Sequence, residues 1–447
     1  MSIYFHDTVS GVRKEFHPID SQNVRIYYCG PTVYDYVHIG NLRAFLTADI
    51  LVRTLRSKYK NVTFVRNITD VDDKIMQRAQ DNRESIRSLT TRTIDLFHND
   101  VKRMGLIPPD IEPKATDHIN EMIATIEKLI SKGHAYVVKD KTGKSVYFDT
   151  STYKDHGKMS KRDTMIGETH IYNSLKKNEA DFILWKPSLK HQAGWNSPWG
   201  FGRPGWHTEC VSMSHKYLGE QFDIHGGGQD LLFPHHENEN AQSVCASDHD
   251  HEHMANYWIH NSMLLIDGKK MSKSENNFLT INDVLEKVHA EVLKMFLLSA
   301  NYRSPLNFTW NGVDLMKKHL DRFYKAIELR TNDGSMSEKA LSYLYADMDT
   351  SSLIAYMHEL SNNVFNGDLD AAAELYAIGN FLGIFQEANW FKHGLEIEND
   401  YIEEQISIRA KHKENKEWQE ADKIRSNLKS LGIVLEDNKD GTTWKVE

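Results

Sequence analysis

The sequence predicts an α/β protein with a parallel sheet, because a strand, a loop, a helix and a second strand follow one another near the start of the chain. Residues 24–29 (VRIYYC) and 62–69 (VTFVRNIT) have the composition of buried strands, and residues 42–58 carry apolar side chains at helical spacing. This order begins a parallel sheet. Open sheets of this type bind ligands beyond the carboxyl ends of their strands, so we expect a site in the loop 30–41. That loop contains no G-x-G-x-x-G pattern, and an ordinary dinucleotide-binding fold is therefore not supported.

Length and composition narrow the class of protein. The chain has 447 residues, which suggests two to four domains. It has no apolar run long enough for a membrane span and no apolar signal core near its N-terminus, so we expect a cytoplasmic protein without a membrane partner. Its three cysteines are too few for a disulfide framework. A net charge of −9 argues against a protein that only binds nucleic acid, although residues 409–429 are locally basic.

Composition also predicts how the rest of the chain is organised. Residues 108–198 mix helical and strand-like stretches, as expected for an insertion within the sheet domain of residues 1–305. All ten prolines lie at or before Pro305, and helical periodicity follows, which predicts a helical bundle over residues 306–400. Residues 401–447 form a predicted small C-terminal domain that ends in a hairpin.

The stretch LLFPHHENEN, residues 231–240, is a candidate metal site. Pro234 suits the first turn of a helix. In such a helix His235 and Glu239, four residues apart, share a face, but His236 and Glu239, three apart, can share one too. Spacing alone does not choose between the histidines, and a pair of this kind supplies at most half of a zinc site. The histidine-rich run at residues 247–254 is interpreted as a solvated loop.

Two short motifs indicate phosphate chemistry. HIGN, residues 38–41, lies at a predicted junction of loop and helix, where an imidazole and helix-end amides can cradle phosphates. KMSKS, residues 270–274, is a basic loop whose lysines can neutralise charge on a transferring phosphate. Each motif is weak alone, and KMSKR at residues 158–162 is interpreted as a coincidental copy of the second.

Taken together and in this order, HIGN and KMSKS resemble the motif pair of the class I aminoacyl-tRNA synthetases, and the similarity is greatest to the cysteine-specific branch of that family. The stretches that carry it are YYCGPTVYDYVHIGNLR, VRNITDVDDKI, SPWGFGRPGWHTEC, FDIHGGGQDLLFPHHENENAQS, KMSKS and GIVLEDNKDGTTW. The resemblance implies a Rossmann-like catalytic domain with an inserted subdomain, a helical bundle and a small C-terminal domain that binds the anticodon. It also implies a monomer.

The resemblance implies one zinc ion, Zn²⁺, in the amino-acid pocket. The matching ligand positions are Cys29, Cys210, His235 and Glu239, so the first histidine of the pair is the expected ligand. Zinc accepts thiolates, and a substrate thiolate could join as a further ligand where serine offers only a hydroxyl. Cys245 matches no ligand position and is expected to be a buried apolar residue.

The resemblance assigns further residues by position. Expected cysteine-binding residues are Gly30, Thr69, Trp206, His225 and Asp230. Expected ATP-binding residues are His38, Asn41, Lys270 and Lys273, of which His38, Lys270 and Lys273 are expected to be catalytic. The family motif often ends in histidine, and Asn41 replaces it here by an amide that carries no charge.

The implied reaction has two steps and needs tRNA(Cys), L-cysteine and ATP, with Mg²⁺ beside the nucleotide. Cysteine and ATP give cysteinyl-adenylate, and the terminal adenosine of tRNA(Cys) then takes the cysteinyl group. Trp418, Asp422 and Asp437 are expected tRNA contacts. The alternatives are a cysteine-activating ligase that acts on a small amine, and an inactive relative. The C-terminal residues 435–447 argue against the first, and the intact motif residues argue against the second.

Overall fold

The computed structural model describes residues 1–161, 176–272, 277–388, 390–392, 399–438 and 441–446. The strands of this part of the chain are β1 (Tyr4–Asp7), β2 (Val12–Glu15), β3 (Val24–Tyr28), β4 (Val62–Arg66), β5 (Ala135–Lys139), β6 (Lys144–Phe148), β7 (Phe182–Pro187), β8 (Gly202–Pro204), β9 (Phe222–Gly228), β10 (Ala255–Asn261), β11 (Leu264–Ile266), β12 (Lys269–Lys270), β13 (Leu306–Phe308), β14 (Ile433–Asn438) and β15 (Gly441–Val446). The helices are α1 (Ile39–Arg56), α2 (Asp73–Asn82), α3 (Ile86–Arg103), α4 (Ile119–Ser131), α5 (Trp206–Leu218), α6 (Glu237–Ala246), α7 (Ile281–Leu285), α8 (Ala290–Leu298), α9 (Trp310–Ile327), α10 (Glu338–Tyr345), α11 (Thr350–Phe365), α12 (Asp370–Leu382), α13 (Asn399–Glu414) and α14 (Trp418–Ser430).

The predicted parallel sheet is confirmed. Four strands lie in the order β10-β9-β3-β4, and each neighbouring pair is parallel. Helix α1 connects β3 to β4, as the strand–helix–strand pattern predicts. The helix begins at Ile39, three residues before the periodic apolar run, because His38 caps it.

The pleat of β3 decides which core each of its side chains joins. Ile26 and Tyr28 belong to the core shared with α1 and α3, whereas Tyr27 and Cys29 belong to the core beneath the insertion. Successive residues of a strand point to opposite faces of a sheet, so a slip of one residue would exchange these sets. The register of β3 therefore delivers the Cys29 thiol to the insertion side.

The insertion between β4 and β9 contains an antiparallel sheet in the order β5-β6-β7-β8. Strand β8 lies at residues 202–204, just beyond the predicted end of the insertion at 198. Helices α4 and α5 share the second core with this sheet. Together they cover the face of the parallel sheet to which Cys29 points.

The remaining chain is helical up to a terminal hairpin, as predicted. Helices α8 to α12 continue the core of the sheet domain, and β14 pairs antiparallel with β15. The hairpin has a small separate core of Ile402, Leu428, Ile433, Leu435 and Trp444. Within the described residues, no helix is long and apolar enough to cross a membrane. The domain boundaries near 305 and 400 stay predictions.

A buried arginine joins α1 to the loops that follow β10 and α8. The guanidinium of Arg43 donates to the carbonyl oxygens of Ser262 and Met263 at 3.0 and 2.9 Å, and to those of Asn301 and Ser304 at 3.1 and 2.6 Å. Only 2% of Arg43 is exposed, and burial lowers its pKa to about 10. One planar cation thus binds four carbonyl oxygens and links two loops to α1.

We predict that Arg43→Lys destabilises the protein, because an ammonium cannot reach four carbonyl oxygens in a planar fork. Losing two or three of these four hydrogen bonds lowers the free energy of unfolding by about 2–4 kcal/mol, at about 1–1.5 kcal/mol for each bond. Urea unfolding monitored by circular dichroism measures this cost. A change below about 0.5 kcal/mol, typical of a neutral surface substitution, would contradict the anchoring role of Arg43.

Candidate active site and metal centre

The four predicted metal ligands lie together in the interior. Cys29 follows β3, Cys210 lies in α5, and His235 precedes α6, which carries Glu239. The Cys29 and Cys210 sulfurs are 3.9 Å apart, Cys210 Sγ lies 3.7 Å from His235 Nε2, and His235 Nε2 lies 2.6 Å from Glu239 Oε1. All four are buried, and their donor atoms lie within 4.8 Å of one another. This group can hold one metal ion.

A second, overlapping donor set shares two of these residues. It consists of Cys29, His225, His236 and Glu239, which also lie within 4.8 Å of one another. His236 Nε2 is 3.3 Å from Cys29 Sγ, and His225 Nε2 is 2.6 Å from Glu239 Oε2. Both histidines that the sequence left open therefore reach the centre. The i, i+4 pair of His235 and Glu239 accompanies the two cysteines in the predicted set.

A further layer of histidines orients the candidate ligands. The Nδ1 atoms of His207 and His235 are 2.8 Å apart, and His236 Nδ1 lies 2.7 Å from His260 Nε2. Such partners fix the orientation and tautomer of a ligating imidazole. The sequence analysis missed His207 and His260. The only local signal for His207 was its place in the motif GWHTEC, three residues before Cys210.

Electrostatics favour an ionised carboxylate in this centre. Burial alone would raise the pKa of Glu239, but His235 and His225 outweigh it and hold the pKa well below its usual range. Burial opposes the protonation of His235, yet the Glu239 charge and the Cys210 contact raise its pKa to about 10. Burial and the Cys210 contact hold the pKa of the Cys29 thiol well above its usual value. A bound cation would compensate the carboxylate and displace such protons.

Several expected pocket residues line this centre. The Trp206 ring stacks on His235 with centroids 4.0 Å apart. The Gly30 amide donates to Asn67 Oδ1 at 2.9 Å, and a Cβ on Gly30 would overlap the Asn67 carbonyl oxygen. Thr69 donates to Glu209 Oε2 at 3.2 Å, beside Cys210.

Two acidic residues near the candidate ligands in the sequence, Asp230 and Glu209, differ in exposure. Asp230 is exposed, in the turn between β9 and α6. Glu209 was missed by the sequence analysis, and burial followed by the neighbouring Cys210 raises its pKa well above its usual value. The neutral form of the Glu209 carboxyl group is therefore favoured beside the thiols.

The two motif segments meet through their backbones. The Ile39 amide donates to the Leu279 carbonyl and the Ile281 amide to the Val37 carbonyl, each at 3.1 Å. His38 caps α1, where its Nδ1 accepts the Asn41 amide at 3.1 Å. The segment that follows KMSKS is thus paired with HIGN, although 228 residues separate the motifs.

An asparagine side chain ties the two ends of the KMSKS loop together. Asn277 Oδ1 accepts the Ser272 amide at 2.9 Å, and its Nδ2 donates to the Lys270 carbonyl at 3.1 Å. Lys270 ends β12 and is exposed, and Asn41 is exposed in the first turn of α1. Lys273, the other predicted catalytic lysine, lies outside the described residues.

A large cleft opens beside the metal centre. Its volume is about 1450 Å³, and Trp206, His207 and Phe233 line its inner end. Arg203 and Lys186 form ion pairs with Asp73 across it, at 2.7 and 2.5 Å. The cleft separates α2 from the insertion, and it offers a route from the surface to the pocket.

Comparisons with known proteins agree with this geometry. The family model described as "tRNA synthetases class I (C) catalytic domain" matches residues 15–318. The cysteine--tRNA ligase of Gluconobacter oxydans is 47% identical over 98% of this chain and 97% of its own length. That of Acidiphilium cryptum is 43% identical over 100% of this chain and 99% of its own.

The chain belongs to the cysteine--tRNA ligase family of class I aminoacyl-tRNA synthetases. Solved structures support the fold at low identity. A leucyl-tRNA synthetase complex from Agrobacterium radiobacter superposes with a TM-score of 0.59 at 9% identity, covering 82% of this chain and 84% of that one. A methionyl-tRNA synthetase from Mycobacterium tuberculosis gives 0.55 at 15% identity, covering 81% and 82%. The predicted family and fold are confirmed.

Outside the catalytic region of this family member, the three expected tRNA contacts differ in environment. Trp418 is 57% exposed at the start of α14, and Asp422 is exposed one turn later. Asp437 instead accepts two hydrogen bonds from Arg409, at 2.8 and 2.9 Å, and lies 3.4 Å from Lys413 Nζ. The bonds from Arg409 hold the pKa of Asp437 well below its usual value.

The histidine-rich run of residues 247–254 is not part of either donor set. Asp248 forms ion pairs with Lys128 and Lys132 at 2.7 and 3.0 Å. The metal-competent groups found among the described residues are confined to the two overlapping sets above. Cys245 is buried, and burial raises the pKa of its thiol to about 12. Both observations agree with the structural roles expected from the sequence.

We predict that Asp437→Asn loosens the C-terminal module by about 1 kcal/mol, because it removes the charge that Arg409 binds in a partly exposed pair. Hydrogen exchange of residues 433–438 measures this loss. Because the folded pKa of Asp437 is depressed, its stabilisation is present above the unfolded pKa of about 3.9 and is lost as the pH falls towards the folded value. Unchanged exchange together with weaker tRNA binding would instead indicate that the carboxylate contacts RNA directly.

Proposed function

We propose that this chain joins L-cysteine to tRNA(Cys) with ATP, through a cysteinyl-adenylate, and that zinc selects the substrate thiolate. The observation that carries the proposal is the buried cluster of two thiols, an imidazole and a carboxylate directly after β3. The loop that follows Cys29 ends in HIGN, which is paired with the segment after KMSKS. Cys29 and HIGN thus both follow β3, and the backbone pairing brings the segment after KMSKS next to HIGN.

The donor set fits zinc. Two sulfurs, one imidazole nitrogen and one carboxylate oxygen are the ligand types that zinc takes in proteins, and all four can approach one point. When bound there, zinc would supply a Lewis-acid site that a thiolate can join and a hydroxyl joins poorly. We propose Cys29, Cys210, His235 and Glu239 as the ligands. Cobalt suits similar ligands, and metal analysis would distinguish the two.

The remaining pocket residues would orient the amino acid. Trp206 packs against His235 and forms a flat aromatic wall beside the proposed metal site, whereas Gly30, next to Cys29, lets the Asn67 carbonyl oxygen approach where a Cβ would overlap it. We assign Asp230, which is exposed in the turn between β9 and α6, to the substrate ammonium. We assign His225 and Thr69 to the same pocket. His225 contacts Glu239, and Thr69 contacts Glu209.

The reaction requires positioning rather than a covalent enzyme intermediate. The substrate carboxylate attacks the α-phosphate of ATP, and pyrophosphate leaves. A hydroxyl of the terminal ribose of tRNA then attacks the acyl carbon of the adenylate, and AMP leaves. We propose that ATP, with Mg²⁺, is bound by His38, Asn41, Lys270 and Lys273. Of these, His38, Lys270 and Lys273 would stabilise the negative charge that develops on the phosphates.

The tRNA would use the cleft and the C-terminal region. The cleft beside Trp206 has room for an unpaired strand end, and its wall carries Lys186 and Arg203. Trp418 and Asp422 are exposed and able to stack on or bind unpaired bases. Asp437 would act by holding Arg409 in place. We further propose a monomer that works in the cytoplasm, with the three regions predicted from the sequence.

The deciding experiment measures two reactions and the metal content of the wild-type protein. We expect cysteine-dependent exchange of pyrophosphate into ATP, charging of tRNA(Cys) with labelled cysteine, and one zinc per chain. Serine should support neither reaction. Exchange without charging would favour a ligase that acts on a small amine. A zinc-loaded protein without either reaction would contradict the proposed function.

We predict that Asn277→Ala slows adenylate formation while zinc content stays normal. Removing both bonds frees the ends of the KMSKS loop, and we expect a loss of about 10–100-fold in the exchange rate, at about 1–1.5 kcal/mol per hydrogen bond. The KM for cysteine should not change, because the pocket is untouched.

Two further variants sharpen the test of Asn277. Asn277→Asp keeps the acceptor for the Ser272 amide and loses the donor to Lys270, so its rate should lie between those of wild type and Asn277→Ala. Exposed Asn311, in the first turn of α9, provides the control substitution to alanine. An exchange rate of Asn277→Ala equal to that of the control would show that the tie is dispensable.

A further inference from the structure

The segment of residues 153–160 packs against the helix that carries a proposed metal ligand. It includes the first residues of KMSKR, the motif copy that lies outside the nucleotide site. Met159 is only 2% exposed and belongs to the core beneath the insertion, whereas Lys158 is exposed. The methionine of this copy is therefore a packing residue.

Glu237 holds this segment with both of its carboxylate oxygens. Oε1 accepts the Gly157 amide and Oε2 accepts the Ser160 amide, each at 2.8 Å. Only 1% of Glu237 is exposed, so the two amides supply hydrogen bonds that the buried carboxylate has lost from water. Hydrogen bonds to an ionised acceptor are about twice as strong as neutral ones.

Asn238 and Asn240, also on α6, extend the contact, and the contacts of Glu237, Asn238 and Asn240 with residues 153–160 are called the clasp. Asn238 Oδ1 lies 2.9 Å from His156 Nε2, and Asn240 Nδ2 donates to the Tyr153 hydroxyl at 3.2 Å. Glu239 lies between these asparagines but points to the metal centre. Residues two apart in a helix project about 200° from each other, so α6 presents Glu239 to the metal donors and Glu237 to the insertion.

The turn at Gly157 requires glycine. Its φ is +92°, a conformation that residues with a Cβ rarely adopt. This turn places the amides of residues 157 and 160 on the two oxygens of one carboxylate. A change at Gly157 therefore disturbs the clasp from the side of the insertion, without altering α6.

We propose that Glu237 is a positioning residue that couples metal binding to the order of residues 153–160. A metal bound by His235 and Glu239 would stabilise the start of α6, because binding free energy becomes folding free energy of the ligands' element. The clasp passes that stabilisation to the insertion. The proposal rests on the metal assigned under the proposed function.

The coupling has a consequence for substrate binding. His156 and Asn238, which form part of the clasp, both line the cleft that leads to the pocket. The wall of the cleft is therefore completed when the metal is in place. A chain without its metal would lose part of the surface that receives the second substrate as well as the means of selecting cysteine.

The first test compares hydrogen exchange of the wild-type chain with zinc bound and after removal of zinc by a chelator. We expect the peptide containing Gly157 and Ser160 to exchange at least about tenfold faster without zinc, equivalent to one strong hydrogen bond. The C-terminal hairpin, residues 433–446, serves as the internal reference and should not change. Equal exchange of the 153–160 peptide in both states, or a change no larger than that of the hairpin, would overturn the coupling.

The second test uses reciprocity, since coupled sites must affect each other by the same factor. Glu237→Gln and Gly157→Ala should each weaken zinc binding about tenfold in competition with a chelator, on the scale of one buried hydrogen bond. Neither replaces a proposed ligand. Glu121→Gln, which breaks an ion pair between Glu121 on α4 and Lys216 on α5, is the matched control and should bind zinc like wild type.

The outcomes separate this inference from the proposed function. Unchanged zinc affinity in both variants would show that Glu237 stabilises residues 153–160 without any coupling to the metal, and would leave the ligase proposal intact. Wild-type protein that binds no zinc would overturn the metal assignment and the coupling together. If Glu237→Gln does not fold, Gly157→Ala and the wild-type exchange experiment still decide the question.

Discussion

The structure depends on the burial of a charged donor cluster at the carboxyl edge of its parallel sheet. Glu239 is 0% exposed, and an isolated carboxylate in such a place would cost several kcal/mol. His225 and His235 each contact one of its oxygens. A bound metal cation would compensate the negative charge of the carboxylate and of the ionised thiols. The end of β3, α5 and α6 must therefore be positioned accurately relative to one another, and the histidines behind the donor atoms help to fix those positions.

The nucleotide side of the site uses a different interaction. The segments around HIGN and after KMSKS are joined by main-chain hydrogen bonds, which do not depend on the identity of the side chains. The His38 side chain also serves the fold, because it caps α1. Arg43 reinforces the arrangement because it ties the helix that begins at HIGN to Ser262 and Met263, the loop that leads towards KMSKS.

Local pattern predicted much of this fold, because periodicity reports burial. The buried strand β3, the helix α1 and the terminal hairpin all agree with the sequence. The metal ligands came from resemblance, since spacing alone could not choose between His235 and His236. The structure shows why the choice is hard, because both imidazoles lie at the centre.

Long-range partners could not be predicted in this way. Glu237 binds backbone amides 77 and 80 residues away, and no periodic pattern encodes such a contact. Asp437 also has a partner in the folded chain that the sequence did not predict. Its assignment to tRNA came from resemblance and stays a prediction, and nothing in the sequence indicated that Arg409, 28 residues away, binds its carboxylate. Conspicuous charged residues are often engaged by the protein itself.

Selection between cysteine and serine illustrates why the cluster must be buried. The two substrates differ by one atom, and a shape difference of that size gives only about 1–3 kcal/mol. A bond to a metal distinguishes sulfur from oxygen by chemistry, but only where water does not compete for the open position. Trp206 stacks on His235, and the donors around Glu239 are buried, so the protein itself covers most of the centre. On the proposed function, the packing of the pocket is therefore a condition of specificity, and a substitution that admits water would weaken discrimination before it weakens metal binding.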